Sequence, residues 1–237
     1  MEIINYVLGY ENLKIIQDSD SFRFSIDSIL LPNFVTINKN VKKILDIGTG
    51  NAPIPLILST KTEAQIIGIE IQKKSAELAR KSVVLNNLEN QIQIIEDDIR
   101  SYSFETDQYD VITCNPPFFK VCENSHFNEK DEKTIARHEV TLTLEDVLRV
   151  ARKLLKNGGV IALVHRPERL VDILVEMRKN NIEPKKIQYV YPNAKENSHI
   201  LLIEGKKNGN SGLKILPPLY VHHKDGSYTE EVMKYFS

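Results

Sequence analysis

The sequence predicts an α/β fold: a mostly parallel, seven-stranded sheet with helices on both faces and an antiparallel last strand. Three observations predict it. From residue 41 onward, short β-branched runs alternate with helix-length amphipathic segments, the order that covers both faces of a parallel sheet. The first of these runs ends in Gly48-Thr49-Gly50, a strand-to-helix junction. The last two runs, Lys186–Val190 and His199–Ile203, follow one another with no helix between them, so they pair antiparallel.

The elements follow in order. Val41–Ile47 reads as the first strand, and Pro53 and Pro55 fit only the first turn of the helix after it, where a missing N–H costs nothing. Gln65–Ile71 is the second strand. The helix 73–88 comes next, with Ala76, Ala79, Val83, Val84 and Leu88 along one face. Gln91–Ile95 and Tyr109–Cys114 are the third and fourth strands. Leu144, Val147, Leu148, Ala151, Leu154 and Leu155 recur at helical spacing, a buried stripe, and Asn157-Gly158-Gly159 is expected to stop that helix as a left-handed cap. Val160–Val164 is the fifth strand, and Pro167 opens a helix carrying Leu170, Ile173, Leu174 and Met177. Residues 119–142 form a polar stretch without clear periodicity, of a length that suits a lid or binding loop.

Composition narrows the function classes. With 237 residues, 41% hydrophobic and 27% charged, the chain is neither disordered nor fibrous. Its longest apolar runs reach about five residues where a membrane span needs roughly 20, so no membrane association is expected. The N-terminus lacks a basic segment before an apolar one, and the two cysteines, Cys114 and Cys122, suffice for neither a disulfide framework nor a zinc site. A reducing cytoplasm, no metal and a monomer are the expectations. The net charge of −1 conceals an asymmetry: residues 1–132 hold 13 Lys/Arg against 20 Asp/Glu, and residues 133–237 hold 18 against 12. A polyanionic partner would meet the basic second half.

The chemistry gathers at strand ends. Glycines 48 and 50 allow a ligand close to the backbone, and Glu70 ends the next strand about 20 residues later, where a carboxylate accepts from a ribose diol. An NAD site would share these features. Three details favour S-adenosylmethionine: Asp46 precedes the glycines, where it holds a cationic amine but repels a pyrophosphate; Pro53 replaces the third glycine of a dinucleotide motif; and Asp98 follows the third strand, where it can accept from an adenine amine. Asp97 beside it leaves that last assignment open by one residue. The fourth strand ends in Asn115-Pro116-Pro117-Phe118, and two prolines force the chain out of the sheet. An amide-like nitrogen is a poor nucleophile. The side-chain carbonyl of Asn115 and the backbone carbonyl of Pro116 can accept its hydrogens and aim its lone pair at a sulfonium methyl, while Phe118 offers a stacking face.

These residues carry a resemblance. Asn-Pro-Pro-Phe is the motif of class I methyltransferases acting on exocyclic or amide nitrogens, and the predicted sheet is similar to theirs. Ile16-Gln17 with 24–31, Ile135-Ala136-Arg137-His138-Glu139, 165–174, Pro218-Leu219-Tyr220-Val221 and 225–229 all resemble the bacterial family that N6-methylates the adenine 3′ of the anticodon in valine tRNA. The resemblance covers residues 10–236, and departs from the commoner motif ending in Tyr only by the hydroxyl that Phe118 lacks. It implies a lead-in over 1–40, a methyltransferase domain over 41–205 and an appendage over 206–237 packed on the same domain. It also implies S-adenosylmethionine (leaving as S-adenosylhomocysteine) at Asp46, Gly48, Gly50, Glu70 and Asp98, a tRNA substrate, and a target amine at Asn115 and Pro116. Arg166 and Arg169, with Arg137, His138 and the Lys206-Lys207 pair, are candidate RNA contacts; a surface ion pair is the alternative at each arginine. For His222-His223-Lys224 a solvated turn is the simpler reading.

Rival readings exist. A glutamine N5-methyltransferase acting on release factors uses the same motif, but carries a longer helical N-terminal domain than the 40 residues here. An N2-guanine rRNA methyltransferase, an NAD-dependent oxidoreductase and a catalytically inert binding module fit the residues less well.

Overall fold

A computed structural model of the chain describes residues 1–18, 26–116 and 142–236. Pro117, Phe118, Arg137 and His138 lie outside the described residues.

The chain opens with an antiparallel hairpin, β1 (Glu2–Val7) and β2 (Tyr10–Asp18), followed by helix α1 (Asp27–Phe34). The sheet-forming elements are β3 (Lys43–Ile47), α2 (Pro53–Ser59), β4 (Gln65–Glu70), α3 (Lys73–Leu85), β5 (Ile92–Glu96) and β6 (Tyr109–Cys114). They continue as α4 (Leu144–Leu154), β7 (Leu155–His165), α5 (Leu170–Lys179), β8 (Ile182–Tyr191) and β9 (Ile200–Lys207), then the two-residue strands β10 (Lys214–Ile215) and β11 (Leu219–Tyr220) and the short helix α6 (Glu230–Met233).

Hydrogen bonding orders the main sheet β10-β8-β9-β7-β6-β3-β4-β5, with β11 also on β8. Strands β5, β4, β3, β6 and β7 run parallel, and β9 inserts antiparallel between β7 and β8. The seven expected strands are all present, and β10 and β11 extend the sheet beyond them. Side-chain alternation sorts the strands onto two cores. Ile44 and Val111 join one with Leu30, Leu31, Leu56 and Val83 from α1, α2 and α3. Leu45, Ile47 and Ile112 join the other with Val147, Leu148 and Ile173 from α4 and α5. Asp46 therefore faces the first side, as does Thr113, its register partner on β6.

Two details differ from the sequence-based expectation. Asn157-Gly158-Gly159 does not stop the helix: α4 ends at Leu154, and the extended Leu155 takes the chain directly into β7. The glycines instead absorb an irregularity in β7, where pairing jumps from Tyr109↔Leu155 to Val111↔Val160 and Gly158 sits at φ +77°. Val84 is 57% exposed, and Leu88 lies beyond the end of α3. The lead-in carries the β1–β2 hairpin, which is bonded to α3. Ile16 N–H donates to Ser82 Oγ (3.0 Å), and Lys14 N–H to Asn86 Oδ1 (2.9 Å).

Candidate active site

The C-terminal ends of β3, β4, β5 and β6 form one edge, where ligands of open α/β sheets bind. Asp46, the penultimate residue of β3, is fully buried. Alternation and register set it beside Thr113, whose hydroxyl donates to Oδ1 at 2.6 Å. Oδ2 is buried and has no hydrogen-bond partner among the described residues. Burial raises the Asp46 pKa to about 7, against the stabilising hydroxyls of Thr113 and nearby Thr49 and with the charge of Glu70 adding to the rise. A buried acceptor left unpaired is costly, and is an expected mark of a ligand position.

The loop after β3 is shaped for close approach. Gly48 (φ +67°) and Gly50 (φ +58°) are left-handed, and among the described residues, their chain neighbours aside, no atom lies within 4 Å of where a Cβ would stand on either. Thr49 between them turns inward and fills the space that Gly68 on β4 leaves, since a Cβ there would meet Thr49 Oγ1 at 2.8 Å. Glu70, buried at the end of β4, closes the loop: Gly50 N–H donates to its Oε2 and Gln72 N–H to its Oε1, both at 2.9 Å. Burial raises its pKa and those backbone donors oppose the rise. Each oxygen keeps a second lone pair for a hydroxyl donor.

Asp98, beyond β5, is engaged. The Arg100 side chain donates to both carboxylate oxygens and its backbone N–H donates to Oδ1, which lowers the Asp98 pKa. Asp97 is exposed, and its Oδ1 accepts from Asp98 N–H at 2.7 Å.

Asn115 lies one residue past β6, half-buried, with Pro116 taking the chain out of the sheet. Its Nδ2 donates to Ser28 Oγ on α1 at 3.3 Å, and Oδ1 has no partner among the described residues. β6 lies directly beside β3, so the structure brings Asn115 to the same edge as Asp46, Gly48, Gly50 and Glu70. Asp98 stands on the same edge two strands beyond β3.

The candidate RNA contacts separate. Arg166 follows β7 on this edge, exposed, and donates to the His199 carbonyl at 3.3 Å. Arg169 pairs with Asp172 at 2.6 Å, the ion-pair alternative realised in this structure. Lys206 and Lys207 do not belong with them. β9 runs antiparallel to β7, which carries its C-terminal lysines to the opposite edge, where Lys207 pairs with Asp107 at 2.6 Å. His222 and His223 lie in a turn closed by a His222↔Tyr228 bridge.

The architecture has known counterparts. A family model described as methyltransferase small domain matches residues 25–183. The chain belongs to the methyltransferase small domain family. It is a methyltransferase with the class I, Rossmann-like fold. It is 30% identical to a tRNA1(Val) (adenine(37)-N6)-methyltransferase of Parabacteroides distasonis, over 84% of this chain and 83% of that one. A Porphyromonas gingivalis protein of the same name is 33% identical over 70% and 68% of the two chains. Among solved structures, a predicted O-methyltransferase from Agrobacterium tumefaciens superposes with a TM-score of 0.70 at 21% identity, covering 89% of this chain and 95% of that one. P. horikoshii TYW2 in complex with MeSAdo gives 0.61 at 13% identity, over 88% and 72%. Among the described residues no group of His, Cys, Asp and Glu could hold a metal ion, and no helix is long and apolar enough to cross a membrane.

Two residues bonded to the candidate site escaped the sequence reading. Thr113 could have been found from the register of β3 and β6, which places it opposite Asp46. Ser28 is 87 positions from Asn115, and no local pattern signals their contact.

Proposed function

We propose that this methyltransferase transfers the methyl group of S-adenosylmethionine to the exocyclic N6 of an adenine in tRNA, adenine 37 beside the anticodon of valine tRNA. The observation that carries the reading is Asn115, held on the edge next to the Asp46–Gly50 loop with its amide nitrogen turned to Ser28 and its carbonyl end without a partner among the described residues. The relatives of the same family named for this reaction support the choice of acceptor.

The residues fit the donor. Asp46, with its orphaned Oδ2, would take the cationic amine, Gly48 and Gly50 would let the molecule lie against the backbone, and Glu70 would accept from ribose hydroxyls. Asp98 can accept from the adenine amine once Arg100 releases it; Asp97 is the neighbouring acceptor for the same amine. When bound, S-adenosylmethionine supplies an electrophilic methyl group.

The acceptor amine needs alignment. Its lone pair is delocalised into the ring, so Asn115 Oδ1 and the Pro116 carbonyl accept its two hydrogens and turn the lone pair toward the donor. No base is needed before transfer, and the proton leaves afterwards to water. Phe118 would stack on the base. A base stacked in an anticodon loop must turn out to reach this edge, so the RNA is held by its backbone, with Arg166 and Arg169 the nearest candidates on the described edge.

The test uses labelled S-adenosylmethionine with tRNA from cells lacking the modification. N6-methyladenosine mapped by mass spectrometry to the nucleotide 3′ of the anticodon is the expected product. Labelling of a release-factor glutamine peptide and of no tRNA would overturn the reading.

A further inference from the structure

A primary amide has two ends of nearly equal shape and opposite polarity. If Asn115 is to accept a hydrogen from an amine, its Oδ1 must face the acceptor site and its Nδ2 must point away. The NH2 end then needs its own acceptor, because a half-buried donor left unpaired is costly. That acceptor is the hydroxyl of Ser28. Asn115 Nδ2 donates to Ser28 Oγ at 3.3 Å, and Ser28 is itself buried, 6% exposed, on the first turn of α1.

The helix that carries Ser28 is anchored. Ile29, Leu30 and Leu31 are fully buried in the core on that side of the sheet. At the far end of α1, Lys186 Nζ donates to the Phe34 carbonyl at 2.7 Å, while Thr36 donates to Glu204 through its N–H (2.6 Å) and its hydroxyl (2.9 Å). The hydroxyl is thereby fixed relative to β6.

We infer that Ser28 is a positioning residue: it takes the amide nitrogen of Asn115 and so orients the Asn115 carbonyl toward the target amine. This rests on the assignment of Asn115 to the acceptor site. It gives α1, which precedes the first strand of the parallel sheet, a part in the chemistry without contact to substrate or donor.

The experiment compares single-turnover methyl transfer to tRNA, S-adenosylhomocysteine affinity and melting temperature in five variants. Ser28→Ala should slow transfer about tenfold, with cofactor affinity unchanged and the melting temperature lowered by only a few degrees, the cost of one unpaired half-buried donor. Ser28→Thr, which keeps a hydroxyl, should restore most of the rate. In an Asn115→Asp background, where the two oxygens are equivalent and there is no amide to orient, Ser28→Ala should change the residual rate less than twofold. A wild-type rate in Ser28→Ala, or the same tenfold loss in the Asp background, would overturn the inference. Asn115→Ala separates the two levels: if it transfers at the wild-type rate the site assignment itself falls, whereas a slow Asn115→Ala with a fast Ser28→Ala removes only Ser28.

Discussion

Beyond β3 and β4 the site is set by backbone and burial, whereas beyond β6 it is set by side chains at a half-open edge. Asp46 and Glu70 are buried, and Glu70 is held by the N–H groups of Gly50 and Gln72. The Gly48–Gly50 loop follows from the sheet, because Gly68 on the neighbouring strand makes room for Thr49. Among the described residues the Asn115 side chain is held by a 3.3 Å bond to a helix 87 residues away, and the arginines nearby are exposed or paired with local acids. The difference fits what each half would hold: a constant donor on one side, and on the other an RNA base that must enter and leave.

The comparison breaks if changes on one side act on the other. The largest effect belongs to Asn115→Ala, which should cut single-turnover transfer by two or more orders of magnitude, the scale of losing one preorganised polar group. A near wild-type rate would remove the acceptor mechanism.

The next effect is on the donor side and depends on pH. Burial raises the Asp46 pKa to about 7, so the unliganded fold gains stability from this group below the ordinary carboxylate range and loses it as pH rises toward 7. Binding a cationic amine runs the other way, because it needs the carboxylate ionised. Affinity for S-adenosylhomocysteine should rise about five- to tenfold between pH 6 and 7.5. In Asp46→Asn that dependence should vanish. A wild-type pH profile in the variant would take the amine contact away from Asp46.

The smallest effect concerns the basic edge. Arg166→Ala with Arg169→Ala should weaken tRNA binding and flatten the slope of log K against log salt by about one to two units, as each neutralised phosphate releases counterions. The same slope in the double variant would move the RNA contact elsewhere.

The donor half was more legible in the sequence than the acceptor half, for a physical reason. Asp46, Gly48, Gly50 and Glu70 stand at fixed offsets along one βαβ unit, so spacing alone brings them to one edge. The strand periods also located β6 and hence Asn115. Contacts between distant segments were not legible. The Ser28–Asn115 bond and the pairing of β10 and β11 with β8 depend on tertiary packing that leaves no local period. The Asn157-Gly158-Gly159 signal misled because the residues that favour a left-handed helix cap equally favour a strand irregularity. Lys206 and Lys207 look like part of a basic tail, and only the antiparallel direction of β9 shows that they belong to the opposite edge.

The separation of donor and acceptor halves is tested most directly by calorimetric titration of S-adenosylhomocysteine at pH 7.5 into two variants, Asp46→Asn and Asn115→Ala, beside the wild type. The account predicts at least tenfold weaker binding in the first, about 1.4 kcal/mol, and affinity within a few-fold of wild type in the second. Equal losses in both, or full affinity in Asp46→Asn, would contradict it.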